Sequence, residues 1–141
     1  MDIEQVREIE RACTDVLLQN SRLTDNEEWE KAVALFTPDV VFKGIASGVT
    51  AMGREENVAS MKSRIQDQWR RRIISNVMVT VQDADHATVT AYWTMYKHKK
   101  SDVLDGKIPD ATPTHFCETE DQFVRMDEGW RIARREFNEI I

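Results

Sequence analysis

The hydrophobic period of this chain changes once, near residue 72, and that change limits the folds open to it. Before it, apolar residues recur every three or four positions. Ile3, Val6, Ile9, Cys13, Val16 and Leu17 stripe a long amphipathic helix over residues 2 to about 22. Trp29, Ala32, Val33 and Phe36 predict a short second helix, and Val58, Met61, Ile65 and Trp69 a third. From Ile73 onward the period is two, the spacing of a strand with one covered face. Helices first and antiparallel strands last describe an α+β domain, not alternating α/β.

Four closing strands are expected: Ile73 to Val81, His86 to His98, His115 to Met126, and Gly129 to about Glu139. Asp127-Glu128-Gly129 is a tight hairpin signal. Residues 99 to 114 hold Gly106, Pro109 and Pro113 and read as a surface loop. Along the second of these strands Ala87, Val89, Ala91, Trp93 and Met95 form one apolar face. Thr88, Thr90, Tyr92, Thr94 and Tyr96 form the other. Earlier in the chain Pro38 cannot continue a helix and Asp39 is depleted in strands, so the pair marks a turn. Val40-Val41-Phe42 then reads as a strand, followed by a loop or ragged hairpin with Gly44, Ser47, Gly48 and Gly53.

The 141 residues suit one domain, 1–141, with a real core. A net charge of -6 repels phosphate and argues against a nucleic-acid partner. The basic run Trp69-Arg70-Arg71-Arg72 reads as the solvated end of the third helix, complementing its dipole. No apolar run approaches the ~20 residues that span a bilayer, so no membrane partner is expected. The acidic start Met1-Asp2-Ile3-Glu4 lacks the pattern of a signal peptide, and a cytoplasmic location is expected. Cys13 and Cys117 match no metal or redox spacing; Cys13 lies on the first helix's apolar stripe and reads as core.

Three segments carry a family resemblance. The first is Asp25-Asn26-Glu27-Glu28-Trp29 leading through Phe36 and Pro38-Asp39 to Phe42. The second is the helix entry Gly53-Arg54-Glu55, and the third runs from Glu120 to the closing Gly129-Trp130-Arg131-Ile132-Ala133-Arg134-Arg135. In this order they resemble the SnoaL-like, ketosteroid-isomerase-like and scytalone-dehydratase-like group of the nuclear-transport-factor-2-like superfamily. The resemblance implies a cone-shaped cystatin-like fold, with N-terminal helices on a curved antiparallel sheet that encloses a mostly apolar pocket.

It also implies where chemistry could lie. Asp25 matches the acid that such members carry four residues before the helix Trp. It reads either as a general base, its pKa raised in a dry pocket, or as an N-cap. The family's His-x-x-x-Asn appears as Arg72-Ile73-Ile74-Ser75-Asn76, with Asn76 present and Arg72 in the His position. An Arg cannot relay a proton at neutral pH. It could pair with Asp25, hold an anion or enolate oxygen, or simply complete the surface run. Leu23 and Thr24 stand where a Tyr is frequent.

Trp29, Phe42, Trp69, Trp93, Met95 and Phe123 are the expected pocket lining, on the resemblance and the strand faces together. His98 and His115 flank the 99–114 loop and could approach the pocket; they form no ligand-spaced motif, so no metal and no cofactor are expected. The implied activity is that of a cofactor-free lyase or isomerase, of dehydratase or cyclase type, on a small hydrophobic, cyclic or aromatic metabolite. The alternative is a non-catalytic ligand-binding protein or a small β-type subunit of a ring-hydroxylating dioxygenase. The Tyr92 face reads as a homodimer interface, with a trimer as the alternative.

Overall fold

The computed structural model describes residues 1–46, 48–64 and 67–141. Helix α1 spans Ile3–Asp25. Asp2 caps it, accepting from the Gln5 main-chain N–H at 2.9 Å while the Gln5 side chain accepts from Asp2. Helix α2 is short, Trp29–Val33, and α3 spans Gly53–Arg64. The strands are β1 Phe36–Gly44, β2 Gly48–Met52, β3 Gln68–Asp83, β4 His86–Lys99, β5 His115–Met126 and β6 Gly129–Glu139. Among the described residues these six form one sheet, in the order β2-β1-β6-β5-β4-β3. β1 runs parallel to β6, and the other neighbours are antiparallel.

The architecture is the expected α+β one, helices packed on a mostly antiparallel sheet, but three boundaries differ from the sequence reading. The first helix does not stop near residue 22; it continues through Asn20-Ser21-Arg22-Leu23-Thr24 to Asp25. Phe36 is not on α2 but opens β1, which passes through Pro38 and Asp39 without a true turn. The pairing of β1 with β6 shifts between Phe36 and Val41, so the Pro-Asp pair is an irregularity where a ladder N–H is not needed. Trp69-Arg70-Arg71-Arg72 is not a helix end: the run lies in β3, paired with His98 to Met95 of β4. Of the stripe assigned to the third helix, Val58 and Met61 are helical, Trp69 is on the strand, and Ile65 falls outside the described residues.

Two bulges decide which side chains meet the helices. Ser75 pairs with Tyr92 and Met78 with Thr90, so Asn76 and Val77 stand opposite the single residue Ala91. Asn76 takes a left-handed φ of 53°, a conformation Asn tolerates better than most residues. Inward positions are therefore even before the bulge (Arg70, Arg72, Ile74) and odd after it (Val77, Val79, Val81). Ile73, on the opposite face, is 53% exposed. In β6, Gln122 pairs with Arg134 but Phe123 with Ile132, leaving Ala133 as the extra residue. The inward parity again switches, from Trp130 and Ile132 to Arg135 and Phe137.

β4 keeps one parity throughout. Ala87, Val89, Ala91 and Met95 are buried and Trp93 packs on the core, while Thr90 and Tyr92 face outward, exposed. The core lies between this concave face and α1, built on Leu17, Phe36, Val40, Val89, Phe123 and Ile132. Cys13 is wholly buried in it, and burial pushes its thiol up to about 12.

Candidate functional site

Toward the far end of β4 the core opens into a cavity of about 190 Å³ between the sheet and the C-terminal part of α1. Phe42, Trp93, Met95 and Phe137 give it apolar walls, and Asn20, Ser21 and Thr24 of α1 close one side. Cross-strand register places the polar groups. Arg72 pairs with Met95 and Met95 with His115, one row across β3, β4 and β5. Two strand spacings set the outer members of that row about 10 Å apart at Cα. Trp93 and Cys117 are register partners, and Cys117 pairs in turn with Glu139; Arg70 pairs with Lys97. All eight of these residues line the cavity.

The cavity has a deep end and an open one. At the deep end Arg135 is 4% exposed and Asp121 0%. Arg135 donates to Asp121 through Nε at 2.9 and 3.1 Å and through Nη2 at 2.7 Å, and through Nη1 to Asn20 Oδ1 at 3.2 Å. Asn20 in turn donates to the Ala32 carbonyl at 2.9 Å, tying α1 to α2. The Arg135 guanidinium also lies 4.8 Å from the Trp93 ring centre, 5.5 Å from Phe42 and 5.7 Å from Phe36. Lys97, His115 and Arg70 are half-buried and Glu139 is exposed, which marks their side as the opening.

Asp25, the last residue of α1, holds Arg72 rather than facing the cavity. Its Oδ2 accepts the Arg72 main-chain N–H at 2.8 Å, and Oδ1 accepts from Arg72 Nη1. Burial raises the Asp25 pKa above the usual carboxylate value, and the Arg72 charge and hydrogen bonds oppose this only in part. The pair forms a wall. Arg72 lines both the cavity and an outer groove, while Asp25 faces the groove beside Leu18, Arg22 and Ile73. The Arg72 guanidinium lies 5.3 Å from the Trp93 ring, so two arginines flank one indole.

His115 has one hydrogen-bond partner at Nδ1, the Thr114 hydroxyl. The Thr114 hydroxyl donates to the Met95 carbonyl at 3.1 Å and so can only accept from His115 Nδ1, also at 3.1 Å. With the hydroxyl donating in this way, Nδ1 carries the proton and Nε2 keeps its lone pair. Desolvation, then the Lys97 charge, lower the His115 pKa below its ordinary value, with Glu139 opposing.

The SnoaL-like domain pattern matches residues 5–136 of this sequence. The chain belongs to the SnoaL-like family. Solved structures agree on the fold. A proposed scytalone dehydratase from Novosphingobium aromaticivorans is 16% identical, with TM-score 0.83 over 99% of this chain and 89% of its own. An NTF2-like protein with a cystatin-like fold from the same organism is 19% identical, TM-score 0.76, over 97% and 86%. ActVI-ORFA from Streptomyces coelicolor is 15% identical, TM-score 0.78, over 94% and 98%. A comparison with curated proteins gives no match.

Within this SnoaL-like domain the residues singled out in the sequence divide. Arg72, Phe42, Trp93 and Met95 line the cavity. Trp29 packs against the core from α2, and Phe123, 1% exposed, is buried in it; neither lines the cavity. Trp69 pairs with His98, and the two rings lie 6.2 Å apart, tilted at 48°, away from the cavity lining. Asn76 is exposed on its bulge and shapes β3 rather than contacting the cavity. His115 lines the cavity and His98 does not. Sequence reasoning missed Asn20, Arg135 and Asp121. An acid between Thr119 and Phe123 on an otherwise inward face was the available signal, because a buried carboxylate needs a cation.

Proposed function

We propose that this SnoaL-like protein is a cofactor-free lyase or isomerase acting on a small cyclic or aromatic compound. The observation that carries the reading is the row Arg72–Met95–His115, which puts a fixed cation and an imidazole on one aromatic-walled cavity. Proton abstraction beside a carbonyl, or elimination of water, needs both: a base to take the proton and a positive group at the oxygen where charge develops. His115 Nε2 serves as the base, since its lowered pKa keeps it neutral at pH 7. Arg72 holds the oxygen. Asp25 is a positioning residue, fixing the Arg72 main chain and guanidinium. The likeness to a proposed scytalone dehydratase supports the same class of reaction.

A second reading, a ligand-binding protein without turnover, is favoured by one observation: both Asp25 oxygens are already engaged by Arg72. Exchange of an acidic ring-adjacent C–H with deuterated water, followed by NMR, separates the two. Exchange that vanishes in His115→Gln supports catalysis; binding with no exchange supports the second reading. We also propose that two copies pair through the outer sheet face around Tyr92 and Phe116, whose rings lie 5.7 Å apart.

A further inference from the structure

We propose that the cavity selects a single-ring carboxylate bearing a hydroxyl or carbonyl oxygen on the opposite side of the ring. The proposal rests on the reading of this cavity as the reaction site and narrows its substrate.

Size comes first. A dry cavity of about 150 Å³ holds a benzene ring. At about 190 Å³ this one matches a single ring with small substituents more closely than a fused bicyclic skeleton. The flat faces of Phe42, Trp93 and Phe137 suit a planar ring.

The two ends then differ in charge. At the deep end the Arg135 charge is neutralised by Asp121, so a second, unscreened anion gains little there. The hydrogen-bonding capacity is not exhausted, however. A guanidinium has five N–H donors. Nε–H and one Nη2–H go to Asp121 and one Nη1–H to Asn20, which leaves two donors without an acceptor among the described residues. The Trp93 indole N–H, on the cavity wall, is likewise buried without a partner. Buried donors of this kind are expected to be met by an acceptor. A neutral oxygen on the ligand supplies one at no cost in buried charge.

The open end has the opposite character. Among its lining residues Arg70 and Lys97 stand beside one acid, Glu139, and all are partly hydrated. A carboxylate keeps part of its water there while facing two cations, so its desolvation is cheap and its attraction is retained. His115 lies in the same field: burial first, then the Lys97 and Arg70 charges, lower its pKa against the opposing Glu139 charge. A ring with its oxygen at Arg135 and its carboxylate at Lys97 places the reacting carbons between, alongside Arg72 and His115.

The test is calorimetric titration of the whole protein with four probes: para-hydroxybenzoate, its methyl ester, benzoate, and a hydroxynaphthoate. Para-hydroxybenzoate is expected to bind about tenfold or more tightly than the ester, which has lost its charge, and than benzoate, which has lost its deep oxygen. The naphthoate should be excluded. Lys97→Met should abolish the preference for acid over ester, and Trp93→Phe should weaken para-hydroxybenzoate more than benzoate. Equal binding of acid and ester, tighter binding of the naphthoate, or no binding of any probe overturns the proposal. Deuterium exchange on a neutral or bicyclic compound, with no preference for acids, sinks this substrate class and leaves the enzyme reading standing. Acid-selective binding with no exchange on any ring acid does the reverse.

Discussion

Asp25 grips Arg72 from two sides, taking its main-chain N–H at 2.8 Å with one oxygen and its guanidinium with the other. The side chains are 7% and 9% exposed respectively, so both charges are nearly out of water. For the carboxylate, burial outweighs the attraction, and its pKa is raised. A buried pair of this kind is not a net stabiliser, although losing one partner can still be costly.

The two partners should therefore behave unequally in urea melts at pH 7. Asp25→Asn keeps an oxygen acceptor for Arg72 and should cost roughly 1 kcal/mol or less. Arg72→Met strands an ionised carboxylate and should cost about 3 kcal/mol. The raised pKa means that the folded chain takes up a proton at a higher pH than the unfolded chain does. In the wild type, stability from this group is present below the model value of 3.8 and is lost as pH rises through its folded pKa. The Arg72→Met deficit should shrink in acid for the same reason. A deficit independent of pH would show that Asp25 is not its source.

As the proposed base, His115 should set the acid limb of activity. Its folded pKa lies below 6.5, so kcat/KM should fall only at a pH below that value, as Nε2 becomes protonated. The linkage sign follows: stability from this group is complete above 6.5 and is lost as pH falls through the lower folded value. Proton NMR titration of the imidazole reads the pKa directly. A His115 that titrates above 6.5 would contradict both statements.

Asn76 should tolerate Gly and resist Val. At φ 53° glycine is unstrained, and Asn76→Gly should shift stability by less than about 1 kcal/mol. A β-branched side chain pays the left-handed penalty, about 1–2 kcal/mol, or removes the bulge. Denaturant melts measure the cost. Hydrogen exchange at Ile73 and Arg72 shows whether the parity of β3 has slipped, and equal stabilities for Gly and Val would mean that the bulge is not held by this residue.

Self-association should run through the outer face of the sheet. Tyr92 is 40% exposed beside Phe116, and the expected mass in light scattering is that of a dimer. Tyr92→Glu should return a monomer at micromolar concentration. A dimer that survives this change uses another surface, and a trimer rejects the two-fold arrangement while keeping the face open to question by the same variant.

The closing half of the fold was legible because its alternation is clean. His115–Met126 and Gly129–Glu139 coincide with the expected strands, and the two faces of β4 fall as read, since nothing interrupts its period of two. Most of the errors share one cause, polar residues facing inward. Asn20, Ser21 and Thr24 look like a helix break, yet they are buried helical residues that line the cavity. Trp69 continues the four-residue spacing of Met61 and Ile65 by coincidence, which hid the start of β3 among arginines. Arg135 was unreadable as an inward residue because uninterrupted alternation from Trp130 and Ile132 puts Arg134 inside instead; only the bulge at Ala133 reverses this.

The same irregularity in β3 bears on how copies of the chain avoid one another. β3 is an edge strand of 16 residues, long enough to template addition of a further strand. Its left-handed Asn76 breaks the run of evenly spaced N–H and C=O groups near the middle and twists the strand locally. An incoming strand would find two short, misaligned stretches instead of one continuous ladder. At the other margin β2 offers only five residues. Backbone geometry thus disfavours sheet growth at both margins, beside the exposed Ile73 and Met78 of β3.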